Sequence, residues 1–204
     1  MSEFYRVNMH NFYNNNFAYC EPTDDASYSH PTPKCPVCGS TVGPLQWDEP
    51  RKVIFSKPKY GDLVYGLKFL VSEKFKNLYE NSDLKGIIEF IPVEIVKVRY
   101  LKQLSTEIPI YYSVRLIYSF ARVDKNRSYI TGHPDERYCS LCKPFGTTID
   151  VIKGIYIDET NWGGEDIFHL HEIGSIFISQ KFVDFCLINE LTNLDYINTK
   201  NYVM

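Results

Sequence analysis

The sequence lacks any stretch near the roughly 18 consecutive apolar residues of a membrane-spanning helix, although 44% of it is hydrophobic. It has no Gly-x-Gly-x-x-Gly or Gly-Lys-Ser/Thr phosphate loop, no nucleophile elbow, no paired-histidine metalloprotease motif and no kinase signature. The start, Met1-Ser2-Glu3-Phe4-Tyr5-Arg6, carries no basic segment followed by an apolar run, so no secretory signal is visible. No Arg/Lys cluster adjoins either of its paired cysteines, and a net charge of −3 does not suit a general nucleic-acid binder. These absences argue against a membrane-spanning helix and lower the expectation of the familiar enzyme classes. The resulting expectation is a cytoplasmic, non-enzymatic protein without a membrane partner.

The residues present are those of a chain that buries a core. At 204 residues no staple is required for stability, and 16 Tyr and 13 Phe favour sheet. Four of the six cysteines form two Cys-x-x-Cys pairs, Cys35/Cys38 in Lys34-Cys35-Pro36-Val37-Cys38-Gly39 and Cys139/Cys142 in Tyr138-Cys139-Ser140-Leu141-Cys142-Lys143. Two intervening residues let both sulfurs of a pair face one ion from a tight turn. Four thiolates complete a tetrahedral site with no open position, which points to structural zinc (Zn2+). The competing readings are bare thiols, two local disulfides, or a redox dithiol. In a reducing compartment such pairs are more often metal or redox sites than structural disulfides. Neither pair has the strand-to-helix context that lowers a thiol pKa. Cys186 fits the apolar face of a helix, and Cys20 reads as a loop thiol.

An internal repeat follows the first pair. Phe69-Leu70-Val71-Ser72-Glu73-Lys74-Phe75 matches Ile176-Phe177-Ile178-Ser179-Gln180-Lys181-Phe182 at an offset of 107, and the Cys pairs recur at an offset of 104. Each copy reads as Cys pair, short buried strand, serine N-cap and helix, then strand. Ser72 and Ser179 are the caps. Phe75, Leu78 and Tyr79, and then Phe182, Phe185 and Cys186, form the apolar helix faces. Between the copies, Ile110, Tyr112, Val114, Leu116, Tyr118 and Phe120 alternate with polar residues, predicting a long strand with one buried face. A strand over Val93–Tyr100 precedes it across a loop at 102–109, and another runs from Ile149 to Ile157. Residues 7–34 read as an irregular arm. The fold class is α+β, a mainly antiparallel sheet with two short capped helices in a pseudo-duplicated arrangement joined by a four-cysteine zinc site. One domain, 1–204, is built of similar halves, about 1–101 and 102–204.

Three further groups bear on a site. His133 lies near the second pair, but a loop histidine without a metal role is the better reading. His169 and His171 share a face with no third group at ligand spacing, so a surface or edge pair is expected. From Ile155 to Ile197, eight acids (Asp158, Glu159, Glu165, Asp166, Glu172, Asp184, Glu190, Asp195) stand against the single Lys181. This acidity suits a basic partner. Within it, Trp162-Gly163-Gly164 forms a turn whose Trp either anchors a partner or packs on the core.

The short opening Phe4-Tyr5-Arg6, the motifs Cys35-Pro36-Val37-Cys38-Gly39 and Cys139-Ser140-Leu141-Cys142, and the closing stretch from Asp166 through Ile176–Phe182 to Leu191 resemble the double-CXXCG motif family of bacterial immunity proteins, of the Myxococcus-type toxin–immunity systems. The second motif departs from that family by carrying Lys143 in place of Gly. The resemblance implies a cytoplasmic protein that binds and neutralises a cognate toxin. The acidic segment, with Asp158, Glu159, Trp162, Glu165 and Asp166, is the expected toxin-contact region. The alternatives are a zinc-ribbon-like nucleic-acid-binding protein, resting on the Cys pairs, the aromatics and Lys97, Arg99 and Lys102, and a thiol oxidoreductase.

Overall fold

Ser72 and Ser179 each end a buried strand and begin a helix. Their Oγ atoms accept from the N–H of Phe75 (3.1 Å) and Phe182 (3.2 Å), three residues on, satisfying a donor that has no partner within the helix. A computed structural model places these elements; it describes residues 2–8, 16–29, 34–42, 46–66, 69–102, 108–133, 138–145 and 148–204. In chain order the elements are β1 (Phe4–Val7), β2 (Cys20–Pro22), β3 (Tyr28–Ser29), β4 (Gln46–Trp47), β5 (Lys52–Phe55), β6 (Leu63–Val64), β7 (Leu70–Ser72), α1 (Glu73–Glu80), β8 (Ile87–Val98) and β9 (Tyr111–Leu116). They continue with β10 (Arg122–Val123), β11 (Tyr129–His133), β12 (Thr148–Lys153), β13 (Ile157–Asp158), β14 (Ile167–His169), β15 (Ile176–Ser179), α2 (Gln180–Ile188) and β16 (Tyr196–Asn198).

One sheet has the order β2-β5-β8-β9-β7-β6 and a second β14-β15-β1-β16, with short ribbons β3-β4, β10-β13 and β11-β12 beside them. Every pairing among these strands is antiparallel except β5 with β8. The α+β class and mainly antiparallel sheet read from the sequence are therefore what the chain forms. Both helices enter one core, where Phe75, Tyr79 and Leu84 meet Phe182, Val183, Cys186 and Leu191. The Phe75 and Phe182 rings stand 6.0 Å apart.

The contacts around the two helices recur at constant sequence offsets, and they are reciprocal. Ser72 Oγ donates to Asp62 Oδ1 (2.8 Å), and Ser179 Oγ to Asp166 Oδ1 (2.7 Å). The second oxygen of each carboxylate reaches the segment after the opposite helix. Asp62 Oδ2 accepts from Thr192 N and Oγ1 (2.9 Å each), and Asp166 Oδ2 accepts from Lys85 N (3.0 Å). Lys74 Nζ donates to Glu190 O (3.1 Å), and Lys181 Nζ to Asp83 O (3.3 Å). A negative carboxylate beside a helix N-terminus also complements the helix dipole.

Strand pairing crosses the division expected near residue 101. β1 pairs with β15 through Phe4↔Ser179, the place that β9 takes on β7 through Tyr111↔Ser72. Beyond them, β16 lies on β1 as β8 lies on β9. Thus the N-terminal strand completes the C-terminal sheet, and β9 completes the N-terminal one.

Three expectations change. Residues 20–22 and 28–29 of the supposed arm are strands, with Cys20 buried in β2 rather than in a loop; residues 9–15 and 30–33 lie outside the described residues. The alternating strand ends at Leu116, and both of its faces are covered. Tyr111 packs in a core with Val53, Phe55, Val64 and Leu70, Ser113 is buried, and Tyr112 and Val114 pack on the helix core. Apart from Arg115, which is exposed and pairs with Glu89 (3.1 Å), the strand lies between two layers, so its polar residues do not mark a solvent face. Ile110 and Phe120, at the ends of the pattern, are exposed. Of the predicted loop at 102–109, residues 103–107 lie outside the described residues. The strand expected from Ile149 to Ile157 is broken into β12 and β13.

Candidate metal centre

Two ribbons carry the cysteine turns. Cys35 and Cys38 lie between β3 and β4, and Cys139 and Cys142 between β11 and β12. In the first turn Cys35 N donates to Ser40 O (2.7 Å) and Gly39 N to Cys35 O (2.9 Å). Gly39 has φ +71°, a conformation that costs a residue with Cβ roughly 1–2 kcal/mol. In the second turn Lys143 stands where Gly39 stands in the first. There Lys143 N donates to Cys139 O (3.0 Å), and Lys143 is not among the residues with positive φ. The second turn therefore closes without needing the glycine.

The turns bring all four sulfurs within 4.8 Å of one another. Cys35 Sγ lies 3.8 Å from Cys139 Sγ, and Cys38 Sγ lies 3.5 Å from Cys142 Sγ. Each sulfur thus faces its equivalent from the other turn, so the cluster sits on the line about which the two turns exchange. The spacing fits a metal: four sulfurs about 2.3 Å from a central zinc ion stand about 3.8 Å apart in a regular tetrahedron. It does not fit disulfides, whose sulfurs are about 2.05 Å apart, and all four cysteines are free. The cluster can hold a metal ion.

Cys35, Cys139 and Cys142 are buried with Val42 and Leu141 around them, while Cys38 is exposed. Hydrogen bonds from Ser40 bring the Cys38 thiol down to about 6. Backbone N–H groups of Cys142 and Leu141 lower Cys139, and burial raises Cys142. A metal cation at the centre of the four sulfurs would stabilise them all as thiolates. Arg122 ties this centre to the core, since its guanidinium donates to Leu141 O inside the second turn and pairs with buried Glu172. Sequence reasoning missed that link, for nothing local joins the residues.

The remaining sequence candidates have other surroundings. His133 pairs with Asp150 (2.6 Å) at the surface. His169 ends β14, the edge strand of its sheet, and His171 follows just beyond it, so the edge alternative fits; both are half-buried and lie against the Tyr118 ring at 5.2 and 5.3 Å. Of the five proposed toxin contacts, Asp158 is exposed and accepts from Thr160 N and Oγ1. Glu159 accepts from Ser2 N (2.9 Å) and Oγ (2.7 Å). Trp162 packs edge-on against Phe4 (5.1 Å) and donates to Glu165 O. Glu165 and Asp166 are buried: Glu165 accepts from Ser119 Oγ (3.1 Å) and Gly163 N (3.2 Å), and Asp166 forms the brace on Ser179. The Asp62/Asp166 brace carried a signal that reading did not use. Each Asp precedes two apolar residues, and the two recur at the 104-residue offset of the cysteines.

The family comparison is now informative. The model of the Immunity protein family (Imm11) matches residues 4–201. The chain belongs to the Imm11 immunity protein family. Because the match runs from β1 to the end of the second copy, Imm11 membership applies to both sheets and both cysteine turns together. The immunity resemblance drawn from the sequence agrees with it. No curated protein matches the chain. Among the described residues no helix is long and apolar enough to cross a membrane.

Proposed function

We propose that this chain is a cytoplasmic, non-enzymatic immunity protein that binds and neutralises a cognate toxin. In this reading a zinc ion on Cys35, Cys38, Cys139 and Cys142 clamps its two similar halves. The observation that carries the toxin reading is the Imm11 match over 4–201; the zinc reading rests on the four converging sulfurs. Four thiolate ligands leave no position for water or substrate, so the metal's contribution is to folding rather than to catalysis. The clamp joins turns that are about 100 residues apart along the chain, and closing so long a loop removes much of the freedom of the unfolded state.

Metal content by elemental analysis, on protein purified without chelator, tests the clamp. One zinc per chain is expected in the parent and none in Cys139→Ser/Cys142→Ser, with a fall in melting temperature. Metal-free parent protein as stable as the variant would overturn it. Co-expression with candidate toxins, taken one at a time from the genes adjoining the one that encodes this chain, tests the immunity reading: growth with the parent chain and none without it, for one of them, is the expected result.

A further inference from the structure

The two helices of the repeat provide an internal comparison of what the fold requires. α1 and α2 share a serine cap, an Asp brace, a lysine reaching the opposite unit and an apolar face in the same core. Their solvent faces differ. At the equivalent positions α1 carries Asn77 and Glu80, and then Asn81 as its C-cap, whereas α2 carries Asp184, Leu187 and Ile188. Leu187 is 63% exposed and Ile188 79%. Since α1 folds with polar residues at those places, neither position needs to be apolar for the helix to form or pack. An exposed apolar pair that folding does not demand, with a further exposed apolar residue beside it, is free to serve as a contact surface.

The surroundings specify what covers it. Lys74 Nζ reaches Glu190 O, which places the end of α2 beside the first turn of α1. Glu73 N donates to Ile110 O, so Ile110, also exposed, sits at that same turn. The acids of this region are Glu73, Asp184 and Glu190, all exposed. Its two lysines are engaged, Lys74 with Asp62 (3.9 Å) and Lys181 with Asp83 (2.9 Å) and Asp166 (3.9 Å). The result is an apolar centre with a negative rim.

We propose that the α2 face centred on Leu187 and Ile188 is where the toxin docks, through a toxin patch that is apolar at its centre and basic at its edge. An apolar core inside a charged rim is the common anatomy of a specific interface, and opposite charge at the rim speeds association. This inference rests on the immunity reading and locates its surface away from the segment 158–166.

The test grafts the α1 face onto α2. Full-length parent and Leu187→Glu/Ile188→Asn chains are titrated against the immobilised toxin from which the parent protects cells in the co-expression test, inactivated in its active site. Melting curves and zinc content are recorded in parallel. At least tenfold weaker binding, with melting and metal unchanged, is expected. The mirror variant Glu80→Ala/Asn81→Ala on α1 is expected to bind as the parent does. Equal affinity of the grafted and parent chains overturns the assignment, as does an equal loss in the α1 variant. If the grafted variant melts early, Ile188→Lys alone decides by the same tenfold criterion. A parent that binds no toxin overturns the immunity reading, and the docking face falls with it. If the parent is a dimer in sedimentation and the graft makes it monomeric while toxin binding persists, the face belongs to a second copy and the proposal is overturned.

Discussion

A carboxylate shared between a cap and a distant backbone is stronger than its surface count suggests. Asp166 is buried and accepts from Ser179 Oγ and Lys85 N, so Asp166→Ala leaves two donors without their acceptor. A loss of about 1–3 kcal/mol in urea denaturation is expected, against less than about 0.5 kcal/mol for exposed Asp158→Ala. Neutralising Glu165 and Asp166 therefore weakens the fold whether or not toxin binding changes. The histidines give a pH signature. Burial lowers His169, opposed by its bond to Ser175 O, and burial and then Arg122 lower His171. Because Ser175 O can only accept, His169 Nδ1 carries the proton in the neutral ring. The unfolded chain takes up protons near pH 6.5, where the folded chain does not. Their stabilising contribution is thus full above about pH 6.5 and declines as pH falls below it. Imidazole NMR titration is expected to give folded midpoints below about 6.5 for both rings; a midpoint above that value would contradict the burial argument.

At the scale of elements, the sequence was most legible where chemistry is local. The serine caps and the apolar helix faces lie within a few residues, and the helices occupy 73–80 and 180–188. Ser72→Ala and Ser179→Ala are each expected to cost about 1 kcal/mol in equilibrium unfolding. Part of that effect comes through Asp62 and Asp166, which would lose their hydroxyl donors. The cysteine turns were legible for the same reason, since ligand spacing is a local property. β9 was legible as a strand but not as a two-sided one: alternation reports one covered face, and its second cover comes from the core around Val53 and Phe55, remote in sequence. Cys20 was misplaced because β2 is only three residues long, too short for any periodicity to register.

At the scale of the molecule, the two units hold each other. Gly86 has φ +126°, and a Cβ there would stand 1.8 Å from Ile167 O. Its equivalent Asn193, with φ 70°, donates its side-chain amide to Leu63 O. Backbone of one unit thus passes against backbone of the other at both crossings. Gly86→Ala meets a carbonyl that cannot move without disturbing β14, and a loss of more than about 3 kcal/mol is expected, beyond that of an ordinary surface change. Thermal unfolding of the variant checks this. A near-parental melting temperature would mean that the crossing is loose.

The sequence by itself determined the α+β class, the repeat, both helix starts and the four candidate ligands, because caps, periodicity and ligand spacing are set by neighbours along the chain. Only the tertiary structure decided that β1 completes the sheet of β15, that Asp62 and Asp166 brace opposite units, and that Glu165 and Asp166 are interior while Leu187 and Ile188 are not. Those facts depend on which distant segments cover which faces. A carboxylate or a leucine has the same local signature on either side of that boundary.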